Sequence, residues 1–138
     1  MTNNISSFKD LEVWQRARRL AKGIYIATNE FPDSQRFILT AQIQRSAISV
    51  PSNIAEGQTR KATKDYIRFL NIALGSLAEL ETQLLIASDL GYIKDTNLEQ
   101  LTNECHIIGR MLNKLVSSLE RNLATNTPKP KARTLEPA

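Results

Sequence analysis

The chain has 138 residues, with 18 basic against 14 acidic side chains and a formal net charge of +4. That length suits one domain with a real core, and 41% hydrophobic against 23% charged residues is too apolar for a disordered chain. No uninterrupted apolar run approaches the ~20 residues of a membrane span, and the stretch from Met1 to Phe8 is too polar for a signal peptide. Cys105 and His106 are each the only residue of their kind, which excludes an internal disulfide and a zinc site built from Cys and His alone. A reducing cytoplasm is the expected compartment.

Four amphipathic helices follow in chain order. Ser7 and Asp10, at capping-box spacing, open the first, at approximately 9–29. Its apolar face repeats Trp14, Ala17, Ala21, Ile24 and Thr28, thickened by Val13, Leu20 and Tyr25. Phe31-Pro32-Asp33-Ser34 breaks the chain and offers Asp33 or Ser34 as the next N-cap. The second helix, approximately 34–60, carries Leu39, Ile43, Ala47, Val50 and Ile54, and Gly57 is expected to end its regular part. Pro51 falls inside that stripe, removes a backbone donor and predicts a kink.

Thr63 and Asp65 start the third helix, approximately 63–90, with a face of Tyr66, Phe69, Ala73, Leu77, Leu80, Leu84 and Ala87. Leu90-Gly91-Tyr92 reads as a left-handed glycine cap with apolar neighbours. Asp95 or Thr96 caps the fourth helix, approximately 95–123. Its seam of Leu98, Leu101, Cys105, Ile108, Leu112, Leu115 and Leu119 alternates spacings of three and four. Short connections make neighbouring helices antiparallel. The predicted fold is therefore all-α, an antiparallel up-down-up-down four-helix bundle over residues 9–123. A lead-in over 1–8 precedes it, and a disordered basic tail over 124–138 follows.

Two helices carry more apolar surface than a monomer requires. Helix 3 has a second row of Ile67, Leu74, Ala78 and Leu85, bordered by the small-residue run Asn71, Gly75, Ala78 and Thr82. Helix 2 has a matching row of Phe37, Ala41, Ile48 and Ala55. One stripe suffices for a helix in a monomeric bundle, so two predict contacts with other subunits. Gly75 costs ~1 kcal/mol relative to Ala in a helix interior, which a close approach across such a contact would explain. The plainer alternative is a wide core-facing surface.

Catalytic constellations are scarce. Cys105 and His106 are adjacent on one helix and point ~100° apart, so they cannot pair as nucleophile and base. A buried structural thiol and a solvated imidazole are the expected roles. A di-iron bundle needs Glu-x-x-His on two helices, and Asn103 stands where that Glu would be. Glu79 and Glu81 face different ways, while Glu56 and Arg60 suit a local ion pair. No glycine-rich loop offers a phosphate cradle. The sequence predicts no enzyme, no cofactor and no metal.

The basic residues remain. From Lys9 to Arg68 there are eleven basic and six acidic side chains, whereas from Phe69 to Leu123 there are four and seven. The tail adds Lys129, Lys131 and Arg133 against Glu136. Arg18, Arg19 and Lys22 share the outer face of helix 1, and Arg45 lies on the outer side of helix 2. Arg60, Lys61, Lys64 and Arg68 surround the turn between helices 2 and 3. These eight are the candidates for neutralising phosphates of RNA or DNA without reading bases; a solvated face is the alternative. Few aromatics interleave with them, so a stacking platform for single strands is not expected.

The segment Phe8-Lys9-Asp10-Leu11-Glu12-Val13-Trp14-Gln15-Arg16-Ala17 resembles the opening motif of the four-helix bundle proteins encoded in 23S rRNA intervening sequences. The stretch Gln42 to Gly57, ending Ser49-Val50-Pro51-Ser52-Asn53-Ile54-Ala55-Glu56-Gly57, is similar to that family's middle motif. The stretch Phe69 to Leu84 and Leu90-Gly91-Tyr92 resemble its third, and the likeness covers roughly Phe8 to Leu123. At Gln44 the chain departs from a pattern that often places a second basic residue beside Arg45. The resemblance implies a bacterial, cytoplasmic homopentamer without an established activity. Related accessory proteins of diversity-generating retroelements imply two kinds of partner, nucleic acid and a reverse transcriptase. Two readings follow: an oligomeric binding module for RNA or DNA, or an interaction scaffold with a polypeptide partner.

Overall fold

The computed structural model describes residues 7–126, and all secondary structure among them is helical. Four α-helices make up the fold: α1 (Glu12–Thr28), α2 (Leu39–Gln58), α3 (Thr63–Asp89) and α4 (Asp95–Asn126). Two 3-10 turns, Phe8–Asp10 and Asp33–Gln35, precede α1 and α2. The lead-in up to residue 6 and the basic tail beyond residue 126 lie outside the described residues.

Each helix packs on two others. The α2–α3 contact is the most extensive, α1 lies on α2, α3 lies on α4, and α1 closes the ring against α4. Named contacts fix the pairing. Ser49 Oγ and Ser76 Oγ share a hydrogen bond of 2.7 Å, and Gly57 of α2 abuts Tyr66 and Phe69 of α3. Gln44 of α2 donates to Thr28 Oγ1 of α1 at 3.0 Å, while Thr28 donates to the Ile24 carbonyl. Arg16 of α1 reaches Glu104 of α4, and Gly23 faces Leu101. Leu77 and Glu81 of α3 meet Gly109 and His106 of α4.

The core is one apolar cluster. Ile24, Ile43, Val50, Ile54, Leu70, Leu80, Leu84, Ile108 and Leu112 are its fully buried large side chains. By length and composition α3 is apolar enough to cross a bilayer, and its most apolar row, Leu70 to Ala87, lies in this core. The α4 seam is fully engaged, with Leu98, Leu101, Leu115 and Leu119 half-buried around Cys105, Ile108 and Leu112.

Several expectations need correction. Ser7 accepts from Lys9 N and so caps the first 3-10 turn; α1 itself begins at Glu12 behind Leu11, with no side-chain cap. The second helix begins at Leu39 instead of residue 34. After Pro32, the amides of Gln35, Arg36 and Ile38 bond the carbonyls of Pro32, Asp33 and Gln35, closing successive turns before α2 can start. Phe37 therefore lies outside the helix. Gly57 does not end α2, which runs on to Gln58; it is buried where α2 and α3 come closest. Tyr25, expected on the core face, is exposed. Phe69 is also displaced from the seam, where Leu70 is buried in its place. Residues 124–126, expected in the tail, continue α4.

The close of α3 follows the expected capping chemistry. Gly91 adopts φ +78°, its amide bonds the Ser88 carbonyl, and the Tyr92 amide bonds the Ala87 carbonyl. This double bond pattern satisfies carbonyls that a helix end would leave free. Tyr92 then packs its ring on Phe31, with centroids 5.8 Å apart, tying the two connections together.

Candidate functional site

All eight candidate cations are exposed, but they form three groups. Arg18, Arg19 and Lys22 stand on α1. Arg18 lies 5.6 Å from the Trp14 ring centroid, and Trp14 makes an edge contact with Phe8. Arg45 lines a cleft of about 410 Å³ between α2 and α3, with Gln42, Ser46, Ser49, Glu79 and Gln83. Gln83 Oε1 is buried, with no hydrogen-bond partner among the described residues.

Arg60, Lys61, Lys64 and Arg68 gather at the α2–α3 turn. The guanidinium of Arg60 lies 4.8 Å from the Phe69 ring centroid and that of Arg68 lies 4.5 Å from it. Arg60 also bonds Glu56 Oε2 at 2.5 Å, one turn earlier on α2. Among the described residues no carboxylate comes within ion-pair distance of Lys61, Lys64 or Arg68. Phe69 is the residue that sequence reasoning missed. Its place in a regular apolar repeat hid it; the signal was Gly57, whose missing side chain lets the Phe69 Cβ sit against α2.

The second rows lie on opposite flanks of the α2–α3 pair. Ile48 follows Gln44, which touches α1, by four residues; Leu85 follows Glu81, which touches α4, by four. The cleft with Arg45 runs between these flanks. Ile48 is 45% exposed, Leu85 48% and Phe37 85%. Asn71, Gly75, Ala78 and Thr82 are exposed, and a Cβ built on Gly75 meets nothing within 4 Å. Ile67 and Leu74 are instead half-buried against the core, as is Ala41 by its intermediate exposure, so only part of each row faces outward.

The remaining polar residues hold helices together. Arg16 donates twice to Glu104, from Nε at 2.8 Å and Nη2 at 3.1 Å, and this contact raises the guanidinium pKa. His106 Nε2 lies 2.8 Å from Glu81 Oε2, so the imidazole is bonded as well as solvated. Cys105 is buried beside them. Burial pushes its thiol pKa up to about 12, with the carboxylates of Glu81 and Glu104 adding to the rise. Such a thiol is a poor nucleophile near neutral pH. Among the described residues no group of three His, Cys, Asp or Glu side chains could hold a metal.

Fold and surface together define a small all-helical protein whose distinguishing features are a basic turn and partly exposed apolar rows. The chain belongs to the 23S rRNA-intervening sequence protein family, whose sequence model matches residues 9–114. A crystal structure from Bacteroides thetaiotaomicron, described as a protein of unknown function from the S23 ribosomal protein family, is similar, with a TM-score of 0.68. The two share 26% identity over 75% of this chain and 97% of that one. No curated protein matches the chain.

Proposed function

We propose that the protein is a homo-oligomeric binding module, without a catalytic step, that holds RNA or DNA on basic surface in the cytoplasm. In this reading the helices form an antiparallel up-down-up-down bundle with α2 bent at Pro51. The pairings support it: as residue numbers rise along α2 from Ser49 to Gly57, their α3 partners fall from Ser76 to Phe69. Along α1, Arg16 and Gly23 meet Glu104 and Leu101 in the same descending order. Pro51 cannot donate the helical bond to the Ala47 carbonyl, which favours a local bend.

The observation that carries the reading is the placement of exposed apolar side chains on two opposite flanks of the α2–α3 pair. A closed ring needs two different, complementary surfaces on each subunit, whereas a two-fold dimer uses one surface twice. A flank bearing Ile48 and another bearing Leu85 fit the first arrangement. Five copies, the number implied by the resemblance, would repeat each basic group around the ring and sum weak fields into a strong one.

Light scattering coupled to size exclusion, followed by electrophoretic titration with RNA and DNA over several salt concentrations, tests both parts. A ring-sized particle with binding that falls steeply as salt rises is expected. A monomer, or no binding at low salt, refutes the corresponding part. A partner retained after nuclease treatment of a native extract would favour the polypeptide-scaffold alternative.

A further inference from the structure

Four of the eight exposed cations gather at one turn, and two of them lie over the same aromatic ring. The Cβ of Phe69 sits against Gly57 of α2, so the ring is carried by a backbone packed on the neighbouring helix. One guanidinium lies over the ring from α2's end and another from α3, at 4.8 and 4.5 Å. An arginine on a flexible stem ordinarily loses much rotamer freedom when it grips a ligand. Here the stack has already restricted that freedom. Neither stacking contact uses the N–H groups, so the two forks keep donors for an anion; Glu56 takes one edge of Arg60 and leaves the remainder.

The surroundings favour an anion. Lys61 and Lys64 stand beside the stack on the turn and first turn of α3, exposed and, among the described residues, without a carboxylate at ion-pair distance. Four cations thus face two local carboxylates, Glu56 and Asp65. The other two groups lack this preparation. Arg45 shares its cleft with Glu79, and on α1 only Arg18 lies over an aromatic ring. Of the three groups, the one at the α2–α3 turn combines charge density with preorganisation.

We propose that the Arg60–Phe69–Arg68 stack is the phosphate-gripping site of the protein, with Phe69 as its positioning residue, and that the ligand is the phosphodiester backbone of RNA or DNA. This rests on the nucleic-acid reading above and assigns the contact to one site. Bidentate guanidinium–phosphate bonds supply the grip, and Lys61 and Lys64 add point charges.

Fluorescence anisotropy of a labelled single-stranded RNA of mixed sequence, titrated at several salt concentrations, tests the site. Five proteins are compared: the parent, Phe69→Leu, Phe69→Tyr, Arg60→Ala with Arg68→Ala, and Arg18→Ala with Arg19→Ala and Lys22→Ala. The double variant should bind at least tenfold more weakly and show a shallower salt slope, by about 0.7 for each phosphate it no longer neutralises. Phe69→Leu keeps every charge yet should bind roughly fivefold more weakly, because the guanidiniums are no longer held, and Phe69→Tyr should restore binding. The α1 triple variant should change less than the double one. Light scattering and circular dichroism on the same samples exclude misassembly as the cause. Parent binding that survives the double variant, or a Phe69→Leu protein that binds like the parent, overturns the site while the nucleic-acid reading stands. No binding by the parent at low salt, either to this RNA or to a labelled duplex DNA titrated beside it, overturns both.

Discussion

Gly57 on α2 and Phe69 on α3 approach so closely that a Cβ added to the glycine would lie 2.8 Å from the Cβ of Phe69 and 3.2 Å from the Tyr66 carbonyl oxygen. Neither neighbour is the free end of a flexible side chain, so a methyl group there must push the helices apart. Gly57→Ala gains up to ~1 kcal/mol in helix propensity but should lose ~1–3 kcal/mol to overpacking. A net loss of about 1–2 kcal/mol is expected in urea unfolding. A variant as stable as the parent would show that α2 and α3 are less tightly joined.

Gly75 gives the opposite result within the subunit. Its Cβ position is open, so Gly75→Ala should stabilise the fold by up to ~1 kcal/mol. If this face forms the proposed subunit contact, Gly75→Leu should leave the helical circular dichroism intact and break the assembly, since added volume at a close-packed contact is poorly tolerated. Light scattering on Gly75→Leu decides it; an unchanged particle would place this face outside the assembly.

Cys105 should resist thiol reagents in the folded protein. With its pKa pushed up to about 12, almost none is thiolate at pH 8, whereas the unfolded chain reacts freely. The same shift carries a stability signature. The unfolded thiol loses its proton near pH 9 while the folded one keeps it, so stability is complete below pH 9 and falls as pH rises toward 12. This group contributes a slope of up to ~1.4 kcal/mol per pH unit in that window. Unfolding of Cys105→Ala across alkaline pH should be flatter than that of the parent.

The Arg16–Glu104 pair joins α1 to α4 through two hydrogen bonds, with both side chains less than one-third exposed. Its geometry should place it at the upper end for partly exposed pairs. A double-mutant cycle of Arg16→Ala and Glu104→Ala should give a coupling of about 0.5–1 kcal/mol that shrinks in high salt. A coupling of zero would make the pair incidental.

Helix number and core rows were legible because spacings of three and four leave one reading for Leu98 through Leu119 or Leu39 through Ile54. What the sequence hid were choices made by partner helices. Phe69 and Leu70 both satisfy the apolar repeat of α3, and the proximity of Gly57 sends one to the α2 side and the other inward. Ile67 and Leu74 looked like outward residues because the contact face toward α4 is wider than one stripe. The late start of α2 follows from consecutive 3-10 hydrogen bonds after Pro32, which single-residue capping preferences do not anticipate. Gln44, where the resemblance led to the expectation of a basic residue, bonds Thr28 instead, so this position serves the α1–α2 seam.

The Ser49–Ser76 bond and the absent side chain at Gly57 have a consequence for how the chain comes apart. They tie the two middle helices together over the most extensive contact in the fold, across a connection of only four residues, 59–62. A hairpin of such local contacts forms early and opens late. In native-state hydrogen exchange, amides around Val50, Ile54, Ala73 and Leu77 should be the last to exchange, after α1 and the far end of α4 have let go. The inner pair is thus the durable frame of the molecule, and the outer helices close over it.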